Sequence, residues 1–377
     1  MRILQTGDWH LGRKLQGIDL SEDQHFVLEQ VLDVAKEARP DLLLIAGDVY
    51  DRADPPPAAV ELLSEVLSRL VLDMHLRVLI LAGNHDSPER LGFCADILKR
   101  QGIMVAAEAG AEPLALKDGG VQVFALPYLD PELVAEGLGR EGVRGQQAAM
   151  EAVLAGVRER MDPSQRTVLA GHAFVQGGTA SESERPLVVG GSGAVDASLF
   201  DLFDYVAMGH LHRPQVVAGR VYYSGSLLSY SISEADQEKV VLLVDVPPSG
   251  PPEVERVPLR PKRRVRKLEG TLQEILEKAA TDQARDDLVF ALLRDRVPVP
   301  DAMQKLRHWY PNACHLDWVS RQHEGEAVRF SGEVLSMQPI EMFKLFYKAV
   351  SGSELDEADL KLVIPVFEQV LAEREKT

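Results

Sequence analysis

Five short apolar runs in this chain each end in a glycine that is followed at once by side chains of metal-binding types. Runs of this length, rich in Val, Ile and Leu, predict buried strands. Residues that follow the carboxyl ends of neighbouring strands converge on one crevice, and glycine there lets loops approach each other closely. In chain order the motifs are Gly7-Asp8-Trp9-His10, Gly47-Asp48-Val49-Tyr50-Asp51, Gly83-Asn84-His85-Asp86, Gly171-His172 and Gly209-His210-Leu211-His212.

The side chains in these motifs form a mixed set of oxygen and nitrogen ligands. Carboxylate, imidazole and amide oxygen together suit a divalent first-row metal such as manganese or iron better than an ion that prefers thiolates. Two metals about 3.5–4 Å apart can activate a water and hold both oxygens of an in-line displacement at phosphorus. We therefore predict a two-metal phosphoesterase whose cage comprises Asp8, His10, Asp48, Asn84, His172, His210 and His212.

Each motif taken alone has a structural explanation without any metal. An Asp-x-His or an Asn-His-Asp after a strand can form a turn or a cap, and a single histidine such as His172 can be a core residue. The pair His210 and His212 is less easily explained in this way. The five motifs occur in order, each after an apolar run, and this combination indicates a metal centre.

The order of the motifs resembles the calcineurin-like metallophosphoesterase superfamily. The forms at 6–12, 46–51, 81–87 and 209–212 are similar to those of the bacterial SbcD-type nucleases, and the similarity continues through 223–226 into the tail. Gly7 departs from the serine that is frequent there, and Leu227 from the usual proline. The resemblance implies an α/β protein built on a β-sandwich flanked by helices, with a small α+β capping domain and a C-terminal helix pair.

The same resemblance implies a role for each residue of the cage. It implies two ions, expected to be Mn²⁺, that share Asp48, with one ion held by Asp8, His10 and His212 and the other by Asn84, His172 and His210. His85 would stabilise the transition state or protonate the leaving 3′-oxygen as a general acid. Asp86 would orient His85, or it is simply a residue at the entry to the next helix.

Composition and breaks divide the chain into three predicted parts. Strands that alternate with helices predict an α/β nuclease domain over 1–260, and the Pro-Pro-Ser-Gly-Pro-Pro segment at 247–252 predicts a turn or linker. Residues 263–338 predict an α+β unit, which by resemblance caps the active site and shapes the access of DNA. Residues 339–377 predict two amphipathic helices, which either pack on their own domain or dock on the coiled-coil ATPase SbcC.

Local signals predict individual elements. Ser21 to Gln24 predicts a capping box, and Ser87 followed by Pro88 predicts another helix start. A helix is expected from Pro57 to Val71, and one strand is expected over 216–223. The apolar side chains at 62, 63, 66 and 67 in that helix suit either the core or the homodimer interface that the resemblance implies.

The net charge of −17 argues against a protein that coats nucleic acid. Contact with DNA therefore needs a local basic patch or a partner. Residues 256–267 contain no acid and carry a basic cluster that either follows a DNA backbone or is a solvated strand. Trp309 suits a core position or a base contact. The predicted DNA-binding residues are Arg260, Lys262, Arg263, Arg264, Arg266 and Lys267.

The remaining features concern the compartment. Cys94 and Cys314 have no ligand spacing and indicate thiols in a reducing environment. No apolar stretch is long enough to span a bilayer. The first metal motif starts within the first ten residues, which leaves no room for a cleaved signal peptide. We therefore expect a cytoplasmic protein with no membrane partner.

These observations predict the nuclease subunit of an SbcC–SbcD complex that processes DNA ends in repair and recombination. By resemblance it would be a 3′–5′ exonuclease on duplex ends and an endonuclease on single strands and hairpins. One alternative is a phosphatase or phosphodiesterase for small molecules or proteins, which would not explain the predicted capping domain or the helical tail. Another is a subunit that positions its ATPase on DNA without cleavage, which would not need a complete cage.

Overall fold

The computed structural model of the chain describes residues 1–109, 114–140, 142–184, 193–295, 297, 299–319, 339–351 and 354–374. Its contacts separate two compact units, Met1–Arg266 and Lys267–Thr377. Residues 320–338 of the predicted capping domain, and Gly352 and Ser353 of a predicted turn, lie outside the described residues. None of the described helices has the length and apolar character needed to cross a bilayer.

Strands and helices alternate along most of the first unit, as the apolar runs predict. The elements of both units are numbered in chain order. The strands are β1 Arg2–Thr6, β2 Lys14–Leu15, β3 Ile18–Asp19, β4 Leu42–Ile45, β5 Arg77–Leu81, β6 Ile103–Ala106, β7 Leu114–Asp118, β8 Val121–Ala125, β9 Arg166–His172, β10 Phe174–Val175, β11 Ala194–Val195, β12 Tyr205–Gly209, β13 Gln215–Val217, β14 Val221–Tyr223, β15 Val240–Asp245, β16 Glu253–Pro258, β17 Val265–Gly270, β18 Leu288–Leu293 and β19 Ala313–Trp318. The helices are α1 Ser21–Ala38, α2 Pro57–Ser68, α3 Pro88–Leu91, α4 Ala95–Arg100, α5 Pro131–Leu138, α6 Gly145–Arg160, α7 Leu272–Ala279, α8 Ala302–Trp309, α9 Pro339–Ser351 and α10 Glu357–Arg374.

Two sheets of six strands each form the frame of the first unit within the described ranges. The order of the first sheet is β16-β15-β1-β4-β5-β6, and its four strands from β1 to β6 run parallel. The order of the second is β13-β14-β12-β9-β8-β7, with β8, β9, β12 and β14 parallel. The carboxyl ends of β1, β4 and β5, and likewise those of β9 and β12, therefore lie side by side.

A core of branched side chains fills the space between the two sheets. It includes Leu42 and Leu44 from the first sheet and Val168 from the second. The alternate residue Leu169 points to the other face of the second sheet, where α6 packs with Val153. Each such side chain contributes about 1.5–3 kcal/mol when it is fully buried. The predicted α/β class and the helix-flanked β-sandwich are confirmed.

The second unit has its own small core. The sheet β17-β18-β19 packs against α7 and α8. Thr271 and Glu274 form a capping box at the start of α7, because each side chain accepts the backbone N–H of the other. In the C-terminal helix pair, the rings of Phe343 on α9 and Phe367 on α10 lie 5.4 Å apart between centroids.

The predicted capping box at Ser21 is wrong. Leu20 is the N-cap of α1 and makes no side-chain cap bond, and the N–H of Ser21 donates to the carboxylate of Asp19. The Gln24 side chain turns instead to the first metal-motif loop, where it accepts from Gly12 N and donates to His10 O. The Gln24 side chain, which a capping box would use, therefore makes tertiary hydrogen bonds instead.

Two further predictions need correction. The single strand expected over 216–223 is a hairpin of β13 and β14, with Ala218 and Gly219 at positive φ in the turn. The helix expected from Pro57 to Val71 ends as an α-helix at Ser68 and continues as the π-helical turn Arg69–Asp73. The proline-rich segment at 247–252 is confirmed as a turn, because it joins the antiparallel pair β15 and β16.

Candidate metal centre

The predicted ligands lie in loops at the carboxyl ends of five strands. The loops after β1 and β4 are joined by backbone hydrogen bonds, from Asp8 N to Gly47 O at 3.0 Å and from His10 N to Asp48 O at 2.9 Å. The loop after β12, in the second sheet, is hydrogen-bonded to the loop after β1, in the first sheet, because His210 N donates to Asp8 Oδ1 at 2.9 Å. The two sheets thus close on one another where their parallel strands end.

Two glycines allow these loops to approach as closely as they do. A Cβ on Gly83 would lie 2.1 Å from Asp48 Oδ1, and a Cβ on Gly47 would lie 2.3 Å from His172 Nδ1. Gly47 also has a φ of +89°, which side chains rarely adopt. The glycines that precede these motifs therefore make room for the neighbouring ligands.

Four of the predicted ligands have backbone conformations that are rare for residues with a Cβ. Asp8, His10 and Asp48 have φ of 51°, 45° and 49°, and His210 has 104°. Conformations of this kind cost of the order of 1–3 kcal/mol each and cluster at functional sites. The fold holds this strain where the predicted ligands converge.

The ligand atoms form two groups that meet at one carboxylate. The side chains of Asp8, His10 and His212 bring one ligand atom each within 4.8 Å of the others, and so do those of Asp48, His172 and His210. Asp48 Oδ2 lies 3.6 Å from His10 Nε2 and 3.6 Å from His172 Nε2, so that it stands between the two groups.

Asn84 completes the second group. Its Oδ1 lies 3.1 Å from His172 Nε2 and 3.1 Å from His210 Nδ1. A carbonyl oxygen only accepts, and the other ring nitrogen of His172 donates to Ala46 O at 2.8 Å. The Nε2 lone pair of His172 is therefore directed at the amide oxygen, an arrangement that a cation between the two would explain.

Burial keeps the imidazoles of the centre neutral. It lowers the pKa of His172 to about 4 and lowers the pKa of His210 and His10 well below the ordinary value. Neutral imidazole is the form that binds metals. Burial, with Asp48 next in effect, raises the pKa of Asp8 well above its ordinary value.

The residues fit a pair of divalent cations. Asp8 Oδ2 is buried and has no hydrogen-bond partner among the described residues, and His10 Nε2 lies 3.0 Å from His212 Nε2. A buried carboxylate oxygen without a hydrogen-bond partner is costly unless positive charge lies beside it. Oxygen and imidazole donors in this proportion suit a first-row ion.

His85 and Asp86 play different parts in the structure. The His85 ring lies against that of His10 with centroids 4.7 Å apart, and its Nδ1 donates to Asp51 O at 2.7 Å. Both oxygens of Asp86 accept backbone N–H groups, those of Gly83, Val49 and Tyr50, at 2.8–3.1 Å. The Asp86 carboxylate therefore ties the second motif loop to the third.

The six predicted DNA-binding residues differ in their surroundings. Arg263 holds the buried carboxylate of Asp23 with Nε at 3.1 Å from both of its oxygens. Lys262 pairs with Glu22, and Lys267 pairs with Glu269 at 3.3 Å. Arg260, Lys262, Arg264 and Lys267 are exposed, whereas Arg263 and Arg266 are partly buried.

Sequence reasoning missed a polar cluster beside the centre, of which Glu234 and Lys239 are buried and Ser183 and Glu184 partly buried. Ser183, Glu184, Glu234 and Lys239 surround His212. They come from polar stretches that predict solvent-exposed loops, and no spacing links the two segments. Trp309, in contrast, packs against the core of the second unit. This agrees with the core position, one of the two predictions for this residue.

Two family models and a relative match this chain. Residues 1–214 match the model of the calcineurin-like phosphoesterases, and residues 261–351 match the model described as type 5 capsule protein repressor C-terminal domain. A protein of Staphylococcus saprophyticus, named as the D subunit of the SbcCD nuclease, is 30% identical over 377 residues, which is all of both chains.

Two solved structures are similar at low identity. TT1561 of Thermus thermophilus is 16% identical, with 68% of this chain and 98% of that one covered and a TM-score of 0.40. GAP50, the anchor in the inner membrane complex of Plasmodium, is 12% identical, with 84% and 96% covered and a TM-score of 0.40. These scores add nothing to the sequence matches. The chain belongs to the calcineurin-like phosphoesterases and, within them, to the SbcD nucleases.

Proposed function

We propose that this chain is a manganese-dependent DNA nuclease whose two ions share Asp48. The observation that supports this most strongly is the position of Asp48 Oδ2, at 3.6 Å from a histidine nitrogen of each ligand group. Asp8, His10 and His212 would hold one ion, and Asn84, His172 and His210 the other. Ions bound there would activate a water and stabilise the charge that develops at phosphorus in an in-line displacement.

The chain's own residues would prepare this reaction. The backbone N–H of His85 donates to Asp48 Oδ1 at 2.9 Å and so helps to hold this carboxylate in place between the two ligand groups. The hydrogen bond of His172 Nδ1 to Ala46 O fixes the tautomer that presents Nε2 to the site. Asp86 would act through the loops that it joins and not directly on the substrate.

His85 would act as the general acid. Its Nδ1–H donates to Asp51 O, so Nε2 is the nitrogen that can carry a proton to the leaving 3′-oxygen. The ring lies beside the predicted ligand His10 and so near the position where the phosphoester would react. General acid catalysis of this kind contributes about 10²–10⁴-fold to the rate.

DNA as the substrate rests on the family and on the basic segment. The S. saprophyticus relative is named as a nuclease subunit. Arg260 and Lys262 are exposed next to the phosphoesterase domain's last strand, β16, and could neutralise backbone phosphates. We propose 3′–5′ exonuclease action on duplex ends and endonuclease action on single strands and hairpins, with residues 263–338 as a domain that shapes access.

A second copy of this chain is proposed to cover an apolar groove beside α2. The groove has a volume of about 420 Å³ and is lined by Leu63 and Leu67 among others. Leu72 and Phe93 also line it and are 61% and 74% exposed. In a two-fold dimer each Phe93 can enter the partner's groove. Phe93→Glu should therefore yield monomers in light scattering, whereas Leu133→Glu, on α5, should not; a Phe93→Glu dimer would contradict this interface.

The C-terminal helices are proposed to dock on an SbcC-type coiled-coil ATPase. Leu362 and Val366 lie one turn apart on α10 and are 73% and 59% exposed, which suits a partner helix or groove. The relative's name refers to an SbcCD complex. Replacing both residues with Asp should abolish co-purification with the cognate ATPase while manganese binding persists. Unchanged co-purification would remove this surface from the proposal.

One experiment separates the nuclease from its alternatives. End-labelled duplex and hairpin DNA are incubated with the chain and Mn²⁺, Mg²⁺ or chelator, beside Asp48→Asn, and a simple aryl phosphodiester is assayed in parallel. Manganese-dependent DNA cleavage by the wild type alone supports the proposal. Hydrolysis of the aryl ester without DNA cleavage would indicate another phosphoester substrate. No hydrolysis of either would favour a subunit that only positions its partner.

A further inference from the structure

The predicted ligand His212 is held on its outer side by a chain of polar groups, in which Ser183 is partly buried and Glu234 and Lys239 are buried. Its Nδ1 lies 2.7 Å from Ser183 Oγ, and the Ser183 hydroxyl donates in turn to Glu234 Oε1. Glu234 is fully buried. Because the serine proton is directed to the carboxylate, Ser183 Oγ accepts from the imidazole, and His212 is therefore protonated at Nδ1.

Lys239 balances the charge of Glu234 by pairing with the other oxygen of its carboxylate. Lys239 Nζ lies 2.6 Å from Glu234 Oε2 and also donates to the backbone carbonyl of His212 at 3.0 Å. Burial alone would raise the pKa of Glu234, but His212 and Lys239 outweigh burial and hold it below its ordinary value. A buried carboxylate that is paired in this way stays charged and orients the hydroxyl.

The segment that carries Ser183 contacts His212 twice. Glu184 Oε1 accepts the backbone N–H of His212 at 2.6 Å. Arg13 Nη2 donates to Ser183 O at 3.1 Å, and Arg13 Nη1 lies 3.2 Å from Asp51 Oδ1. Residues from the first motif loop and from the segment around 183 therefore hold this serine against the imidazole.

We propose that Ser183 is a positioning residue for one of the two metal ions: its hydroxyl links Glu234 to His212 and fixes the tautomer that leaves Nε2 free to bind. This inference rests on the proposed function, and it extends the site to residues that no motif contains. Partners of this kind fix the ring orientation of a metal-bound histidine and raise its basicity. Because Ser183 contacts His212, the effect should fall on the ion of Asp8, His10 and His212.

The test compares Ser183→Ala with the wild type in two measurements. Long-range ¹H–¹⁵N spectra of the metal-free protein report which nitrogen of His212 carries the proton. Titration of Mn²⁺ against a competing chelator reports the two affinities. We expect an Nδ1–H tautomer in the wild type and a smaller population of it in Ser183→Ala, where Glu234 Oε1, 3.5 Å from His212 Nδ1, is the more distant acceptor that remains. One manganese affinity should fall about 10–100-fold and the other should change little.

Two variants control for nonspecific effects. Ser183→Thr keeps the hydroxyl and should retain the tautomer and both affinities. Ser231 Oγ also donates to Glu234 Oε1, at 3.1 Å, but it is not part of the link to His212. Ser231→Ala should therefore leave the tautomer and the manganese affinities as in the wild type. Ser183→Ala leaves the buried charges of Glu234 and Lys239 in place, whereas Glu234→Gln would remove one of them.

The possible outcomes separate this inference from the function on which it rests. A wild-type chain that binds two ions, together with Ser183→Ala that has the same tautomer and the same affinities, overturns the role of Ser183 alone. An Nε2–H tautomer in the wild type also overturns it. A wild-type chain with the stated tautomer that binds fewer than two ions overturns the proposed function, and the role of Ser183 with it.

Discussion

Gly83 lies so close to Asp48 that a Cβ on the glycine would be 2.1 Å from Asp48 Oδ1 and 2.3 Å from its backbone nitrogen. Both atoms belong to Asp48 itself, so neither can move without displacing the Asp48 carboxylate. The glycine before Asn84 is therefore required by the position of Asp48 in the neighbouring loop.

Gly83→Ala should displace Asp48 and weaken manganese binding. Overpacking at a buried position costs about 1–3 kcal/mol, so urea unfolding of the metal-free protein should show a loss of this size. Gly156 is the matched control, because it lies in α6 and a Cβ added there would meet no atom of another element within 4 Å. Gly156→Ala should stabilise the helix by about 0.5–1 kcal/mol and leave manganese affinity unchanged. Wild-type manganese affinity in Gly83→Ala would show that Asp48 is not held as described.

The buried neutral histidines make the metal-free protein sensitive to acid. Burial lowers the pKa of His172 from 6.5 to about 4. Below pH 6.5 the unfolded chain takes up a proton there that the folded chain does not, so stability is fully present above that pH and is lost as pH falls towards 4.

His172→Gln removes this titration and so isolates its contribution. In chelator, the difference in unfolding free energy between wild type and variant should fall by about 2 kcal/mol from about pH 7 to about pH 5. Asp86, whose pKa burial raises to about 6, acts in the opposite direction but is present in both proteins. Urea unfolding at the two pH values measures the difference, and a constant value would contradict a neutral His172.

Removal of the His85 ring should affect hydrolysis and not metal binding. His85→Ala should retain two manganese ions, while DNA hydrolysis falls about 10²–10⁴-fold. His25, an exposed histidine on α1, supplies the control, and His25→Ala should keep full activity. Full activity in His85→Ala would exclude it as the general acid.

The basic residues after β16 should separate into two classes. Arg263 holds the buried Asp23 carboxylate, so Arg263→Ala should cost about 1.5–3 kcal/mol of stability. Arg260→Gln should leave stability unchanged, weaken DNA binding and lower the slope of log affinity against log salt by about 1. Arg158→Gln, at an exposed position on α6, is the control. Equal effects of Arg260→Gln and Arg158→Gln on DNA binding would remove Arg260 from the interface.

The centre could be predicted from the sequence to the extent that its residues follow strands. Each apolar run marks a strand, and the ligand comes directly after it, so the chain order alone brings Asp8, Asp48 and Asn84 together. The residues behind the ligands carry no such mark. Glu234 and Lys239 occupy a polar stretch typical of exposed loops, and only the folded structure shows that both are buried against His212.

The fold predictions failed where a tertiary contact or a tight turn decides the local structure. Ser21 and Gln24 match a capping box in sequence, but Gln24 is used by the loop of His10. Over 216–223 the apolar run is interrupted by Gly219 and Arg220, and the strand breaks there because Ala218 and Gly219 adopt positive φ in a turn. Hydrophobic periodicity does not detect either effect.

The decisive measurement is the rate of hairpin-DNA cleavage as Mn²⁺ is added stepwise to the metal-free chain, at protein concentrations well above the dissociation constants. If two ions share Asp48 and act together on the phosphodiester, cleavage should rise to a plateau at two equivalents per chain, and Asp48→Asn should remain inactive throughout. A plateau at one equivalent, or no cleavage at any manganese concentration, would contradict the two-metal nuclease.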